Sequence, residues 1–266
     1  MSGQPLVSVI IACYNAEHYI DLCMKGLMAQ TYQNFEILVC DDASTDNSFE
    51  ILKKWEEKDN RITVLRNERN MYAPATRNKC LRVCHGDYCM IHDIDDISTP
   101  DRIEKQVAAL KKEPDLGFVS GSMSAFREKP SEVFQVLRNK KEYPTKWDFL
   151  WNTPFFHPVS MFTRDCIMAV DGYRVAEETR RGQDYDMFMR MYAKGYRGKN
   201  LEEPLYYFRM DAANIKRRTF KARIGEYKIR KHGFTAMGVM PWAAPFLLKP
   251  FVAHVVQKIK YMRIIK

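Results

Sequence analysis

The sequence predicts an α/β protein built on a mixed, mainly parallel sheet flanked by helices, and three observations carry that reading. Short apolar runs rich in β-branched residues alternate with stretches of helical periodicity through the first 120 residues. The helical stretches run about 10–15 residues, the pattern of crossover units in a parallel sheet covered on both faces. Polar clusters follow three of the apolar runs, at the carboxyl ends where open parallel sheets bind their ligands.

The elements follow in order. Leu6 to Ala12 is a first strand, and residues 16–30 carry helical spacing through Tyr19, Ile20, Cys23, Leu27 and Met28. Phe35 to Cys40 is a second strand, followed by polar Asp41 to Asn47 and a helix to about Lys58. Ile62 to Leu65 is a third strand, and residues 74–84 suit a helix. Tyr88 to Ile91 is a fourth strand. Residues 100–112 form a helix opened by Pro100, a residue favoured in the first turn. Leu116 to Ser120 is a fifth strand. Residues 121–160 show few periodic signals; beyond them come a short strand at Ser160 to Phe162, a helix over 183–194 and a strand at Leu205 to Phe208.

The chain has 266 residues, of which 46% are hydrophobic and 28% charged. That balance excludes wholesale disorder and fibrous repeats. No apolar run approaches the roughly 20 residues of a membrane-spanning helix, and no secretory leader pattern precedes the first strand. A cytoplasmic protein is therefore expected. The seven cysteines form no Cys-x-x-Cys pair and no two-part zinc pattern, so they are read as reduced, buried thiols.

The net charge of +9 is unevenly spread. Residues 215–266 hold 13 Lys and Arg against one acidic residue, Glu226, a balance of +12, and the rest of the chain sums to −3. Such asymmetry aims the tail at an anionic surface, membrane or nucleic acid. The expected division is an α/β domain over 1–212 and a basic helical tail over 213–266.

The polar clusters are Cys13-Tyr14-Asn15, Asp41-Asp42-Ala43-Ser44-Thr45-Asp46 and His92-Asp93-Ile94-Asp95-Asp96. Carboxylates at 41, 42, 93, 95 and 96 gathered on one rim would repel one another, and a divalent cation with a bound polyphosphate is the candidate that would offset that repulsion. The alternative is that they are turn and cap residues, as Asp and Ser often are. Glycine-rich dinucleotide and P-loop fingerprints are absent, so side chains and metal must hold any nucleotide.

These segments, taken with Gln30-Thr31-Tyr32, Arg77-Asn78, Gly86-Asp87-Tyr88 and Pro100-Asp101-Arg102, resemble the family 2 glycosyltransferases of GT-A fold. The resemblance implies inverting transfer of a sugar from a nucleoside-diphosphate donor, typically a UDP-sugar, by a catalytic domain over 1–212 with a nucleotide-binding half (1–120) and an acceptor-side half (121–212). It places Tyr14 beside the base, Asp42 on the base, Arg77 near the donor and Asp93 on the ribose. It makes Asp95 a ligand of Mn²⁺ or Mg²⁺. Gly182-Gln183-Asp184-Tyr185-Asp186 resembles the family's Glu-Asp motif, with Gln183 in place of the Glu and Asp184 as the general base. A cap or first-turn role for Asp184 or Asp186 is the alternative. His157, in Phe155-Phe156-His157-Pro158, stands where relatives face donor or acceptor with a polar residue, though a lone His among aromatics also suits a core. Tyr207-Phe208-Arg209-Met210-Asp211 resembles the segment that ends in a metal-binding His, so Asp211 becomes a candidate metal ligand.

In the tail, Phe251, Val252, Val255, Ile259 and Met262 form an apolar stripe opposite Lys249, Lys258, Lys260, Arg263 and Lys266. That pattern describes an interfacial helix on an anionic membrane, or a stripe packed on the protein. The combined expectation is a metal-dependent enzyme, peripheral on the inner face of the cell membrane. It would extend a lipid-linked saccharide in cell-surface polysaccharide synthesis. Transfer directly to polyprenyl phosphate and an inactive membrane- or nucleic-acid-binding scaffold are the competing readings.

Overall fold

The computed structural model describes the backbone of residues 3–210 and 219–264, with side chains as far as 257. The element order is β1 (Val7–Cys13), α1 (Ile20–Met28), β2 (Phe35–Asp41), α2 (Ser48–Lys58), β3 (Ile62–Arg66), α3 (Tyr72–Val83), β4 (Tyr88–Asp93), β5 (Ile97–Ser98) and α4 (Arg102–Lys112). It continues with β6 (Leu116–Phe126), β7 (Val133–Leu137), β8 (Met161–Thr163), α5 (Arg164–Ala169), α6 (Gln183–Ala193), β9 (Arg197–Arg209), α7 (Phe220–Ala236) and α8 (Lys249–Ile264).

One sheet runs in the order β3-β2-β1-β4-β8-β6-β9-β5, with β7 paired to β6. The pairs β2–β3, β1–β2 and β1–β4 are parallel, and β6–β9 is parallel as well. The short β8 is antiparallel to both β4 and β6 and joins the two halves. The half that carries the polar loops is therefore the parallel one.

Strand β1 explains the two-sided core. Val7, Val9 and Ile11 pack with α1, α2 and α4 through Met24, Leu52 and Val107. Ile10, between them, points to the opposite layer with Cys80 of α3, Ile167 of α5 and Phe188 of α6. The alternation of side chains along a strand makes each face of a central strand apolar. Burying such residues is worth about 1.5–3 kcal/mol each, which is why the run reads as continuously apolar.

The tail enters this second layer. Ile229 and Phe234 of α7 are fully buried in the same cluster as Phe149, Phe155 and Met189. Gly233 faces Met189 so closely that a β-carbon there would overlap the Met189 side chain. Thr219 caps α7, its hydroxyl accepting from the Ala222 N–H at 3.3 Å. Helix α8 then lies on α7, with Phe251 between Phe220 (6.0 Å between ring centroids) and Tyr227 (5.8 Å). Phe251 of the expected stripe thus faces inward, while Val252, Val255 and Val256 stay exposed. The side chains of Ile259 and Met262 lie beyond those described. All seven cysteines are reduced and buried, as their spacing suggests.

Candidate active site

The carboxyl ends of β1, β2 and β4 sit side by side because these strands pair in register, Cys13 opposite Asp41 and Ala12 opposite Asp93. The loops beyond them enclose a cleft of about 510 Å³ whose lining includes Tyr14, Asn15, Asp42, Arg77 and Asp95. Two loop residues adopt left-handed backbone, Asn15 (φ 48°) and Ala43 (φ 59°). Side chains hold them there: the Asn15 N–H donates to Ser44 Oγ (3.0 Å), and Asn15 Oδ1 accepts from the Thr45 N–H (2.9 Å). Strain at such positions persists only where the surroundings fix it, and it clusters at functional sites.

The five neighbouring carboxylates take different positions. Asp41 is fully buried and turns back into its own loop, accepting from the Ser44 N–H (3.2 Å) and pairing with Arg66 (3.2 Å). Asp42 faces the cleft, its Oδ1 held by the Asn67 amide (2.7 Å) and the Met71 N–H (2.8 Å). Asp93 accepts from Arg77 Nη2 at 2.5 Å. Asp95 lines the cleft. Asp96 is buried beneath it and accepts from the Arg209 N–H (2.7 Å). Burial, then the charges of Asp95 and Asp93, push the Asp96 carboxyl well above the usual carboxylate range.

Arg77 is the feature that most resembles a receiver. It is only 6% exposed, and its Nε and Nη1 have no hydrogen-bond partner among the described residues. Burial works against its charge, but Asp93 and the Tyr173 hydroxyl beside it hold its pKa above the ordinary value. A buried guanidinium with two idle N–H groups costs stability unless an anion fills them. Nearby backbone is pinned from the sheet: the Asp93 N–H donates to Tyr206 Oη (3.0 Å), and Arg209 Nε donates to the Asp95 carbonyl (3.1 Å). Arg102, fully buried, donates to the Ile91 and Pro158 carbonyls (2.9 and 3.1 Å), tying β4 to the loop before β8.

Asp184 lies apart from that cleft. It lines a second cavity of about 370 Å³ formed by the start of α6 with α7 and α8. Gly182 opens α6 in left-handed backbone (φ 88°), and no side chain caps the helix there. The two acids of this turn divide their work: Asp186 is buried and paired with Arg174 (2.8 Å) and Arg190 (2.7 Å). Asp184 faces the cavity. Tyr173 is fully buried, and beyond that burial its hydroxyl feels the charges of Arg77, Asp93 and Asp184. Gln183 begins α6, its Oε1 buried without a partner among the described residues. His157 is behind Tyr173, its Nε2 2.6 Å from the Tyr173 oxygen, and burial lowers its pKa far below the imidazole value, keeping it neutral. Asp211 falls outside the described residues.

A divalent cation fits this donor set in part. Carboxylate oxygens suit Mg²⁺ and Mn²⁺, and Asp95 presents one to the cleft. No cluster of three or more ligating side chains exists among the described residues, so phosphate oxygens or residues beyond them would complete the shell.

Sequence reasoning passed over Asn67 and Tyr173. Asn67 follows β3 at the same sheet edge as the other clusters, and applying the carboxyl-end rule to every strand would have found it. Tyr173 follows a loop with no periodic signal and is recognisable only in three dimensions.

The sequence profile described as "Glycosyl transferase family 2" matches residues 8–170, more than half of the chain. The putative glycosyltransferase EpsE of Bacillus subtilis (strain 168) is 36% identical over 221 residues, 83% of this chain and 78% of that protein. The Escherichia coli protein named UDP-Glc:alpha-D-GlcNAc-diphosphoundecaprenol beta-1,3-glucosyltransferase WfaP is 25% identical over 238 residues, 85% of this chain and 86% of that one. Among solved structures, mannosyltransferase PcManGT from Pyrobaculum calidifontis, in complex with GDP-Man and Mn²⁺, superimposes with a TM-score of 0.62 at 21% identity. The match covers 96% of this chain and 76% of that one. With the mixed sheet, its flanking helices and the crevice beyond the parallel strands, the fold is GT-A, and the chain belongs to glycosyl transferase family 2.

Proposed function

We propose that the chain is an inverting glycosyltransferase that moves a sugar from a UDP-sugar to a hydroxyl of a lipid-linked saccharide, in cell-surface polysaccharide synthesis. The observation that carries the donor half is Arg77, buried at the edge of a cleft with two unfilled N–H groups. A diphosphate supplies the oxygens those groups lack. Tyr14, half exposed, offers a face for the base, and Asp42, pinned by Asn67 and Met71, offers an oriented acceptor to the N–H groups of uracil. The lipid-linked acceptor is supported by the activity in the name of WfaP.

In the reaction, Asp184 takes the proton of the acceptor hydroxyl as its oxygen attacks the anomeric carbon. The bond from that carbon to the diphosphate oxygen breaks, and its electron pair leaves with the nucleoside diphosphate. Attack from the face opposite the leaving group inverts the centre. Arg77 holds the departing phosphates, and its charge is favoured most as theirs increases. Asp95, with Asp93 close by and Asp211 by family resemblance, would hold Mn²⁺ or Mg²⁺, which supplies Lewis-acid neutralisation of the leaving diphosphate.

Location on the inner face of the membrane rests on the tail's charge and on exposed Trp242, Leu248, Val252 and Val255. Among the described residues no helix is long and apolar enough to span a bilayer. The donor test is thermal denaturation with UDP-sugars and GDP-sugars, with and without Mn²⁺. A ligand bound only by the native state raises the midpoint. The reading expects a UDP-sugar to do so, and a shift with GDP-sugars alone overturns that donor.

A further inference from the structure

The cavity around Asp184 has a second wall that the transfer chemistry does not use. Arg230 of α7 and Lys249 of α8 both line it. Arg230 is 6% exposed, and its Nη1 and Nη2 donate to the Leu150 and Trp151 carbonyls (2.9 and 3.0 Å). Lys249 donates to that same Trp151 carbonyl and to Asn152 Oδ1 (2.9 Å). Two cations therefore converge on one neutral oxygen. Each has its pKa lowered by burial, and Arg230 depresses Lys249 further by like-charge repulsion. The acids of the cavity stand elsewhere: Glu226 is paired with Arg223 at 3.1 Å, and Asp184 lies at the start of α6. Like charges held together this way need an anion. At the side of Lys249 the surface turns apolar, with Trp151, Leu248 and Val252 all more than half exposed.

We propose that this wall, centred on Lys249 with Arg230 behind it, binds the phosphate or diphosphate that joins the acceptor's sugar to its lipid, with the lipid running out over Trp151, Leu248 and Val252. The inference rests on the glycosyl-transfer reading and makes it more specific. Because Asp184 and the cations share one cavity of about 370 Å³, the reacting hydroxyl and the phosphate belong to the same sugar or to adjacent ones. Arg230 lies over the Tyr185 ring, 5.2 Å from its centroid, and Tyr185 is the chain neighbour of Asp184 in the same cavity. The substrate class is thus a short acceptor close to its lipid phosphate, rather than the distant end of a long chain. Charge-assisted bonds from lysine and arginine to phosphate are strong enough to dominate such recognition.

The test uses the full-length protein and two probes: N-acetylglucosamine α-linked through diphosphate to a short alkyl chain, and the same sugar on an uncharged alkyl ether. Binding is measured by calorimetry without donor, and transfer kinetics with the UDP-sugar and Mn²⁺. The wild-type protein should favour the diphosphate probe by about tenfold or more in both Kd and KM. Lys249→Glu should erase that preference, and Lys249→Arg should retain most of it. Equal preference in wild type and Lys249→Glu, or none in the wild type, overturns the inference. So does a Lys249→Glu defect confined to phosphatidylglycerol vesicles, which would make the wall a headgroup site. If the diphosphate probe binds at this wall but no UDP-sugar is ever transferred, the glycosyl-transfer reading fails while the anion site stands.

Discussion

At the scale of single residues, neighbouring acids of one motif take different positions and different partners. Asp41 and Asp186 are consumed by arginines and backbone, whereas Asp42 and Asp184 face cavities. Breaking a buried ion pair from one side costs about 3–5 kcal/mol, so Asp186→Ala should lower the chemical denaturation free energy by that order. Asn67→Ala removes a hydrogen bond to the Asp42 carboxylate, a class of bond worth about 1.5–3 kcal/mol, and should weaken UDP binding by about tenfold or more by calorimetry. The motif Gly182 to Asp186 was visible in the sequence, but the choice between its two acids depends on Arg174 and Arg190. Their approach to Asp186 is a tertiary fact that no local spacing encodes.

At the scale of elements, the first four helical crossovers were legible because the central strands β1, β2 and β4 are buried on both faces and read as continuous apolar runs. Strand β7 was not legible. Its residues Val133 to Val136 are exposed at the edge of β6, so no burial pattern imposes alternation on them. Strand β9 is longer than the Leu205 to Phe208 core of it seen in the sequence, since Arg197 to Glu203 pairs through backbone with few buried side chains. Helix α7 presented the opposite difficulty. Its Lys and Arg residues suggest a solvated or membrane-facing helix, yet Ile229 and Phe234 fill the main core. Phe234→Ala should therefore destabilise the protein by about 3–5 kcal/mol. Truncation before Lys249 should leave a cooperative thermal transition, whereas truncation before Thr219 should abolish it; equal behaviour of the two truncations would place α7 outside the core.

At the scale of the whole molecule, two buried neutral histidines tie stability to pH. His92, on β4, has its pKa lowered to about 3 by burial and by Arg102, and its Nδ1 is 2.7 Å from the Asp93 carbonyl. His157 is lowered as well. Unfolded histidine takes a proton near pH 6.5, while the folded protein refuses it, so the unfolded state binds more protons below that pH. The thermal midpoint should fall as pH drops from about 6.5 toward 4, and His92→Gln should flatten the slope by roughly one proton. The two cavities also lie on different parts of the fold: the proposed donor cleft lies at the carboxyl ends of the parallel strands, and the proposed acceptor cavity is built from α6, α7 and α8. The central claim is that Asp184 activates the acceptor. The most direct measurement is the rate of sugar transfer by Asp184→Asn at saturating UDP-sugar and Mn²⁺, alongside its affinity for UDP. The account predicts a loss of at least about a hundredfold in rate with UDP affinity unchanged, and transfer at the wild-type rate would contradict it.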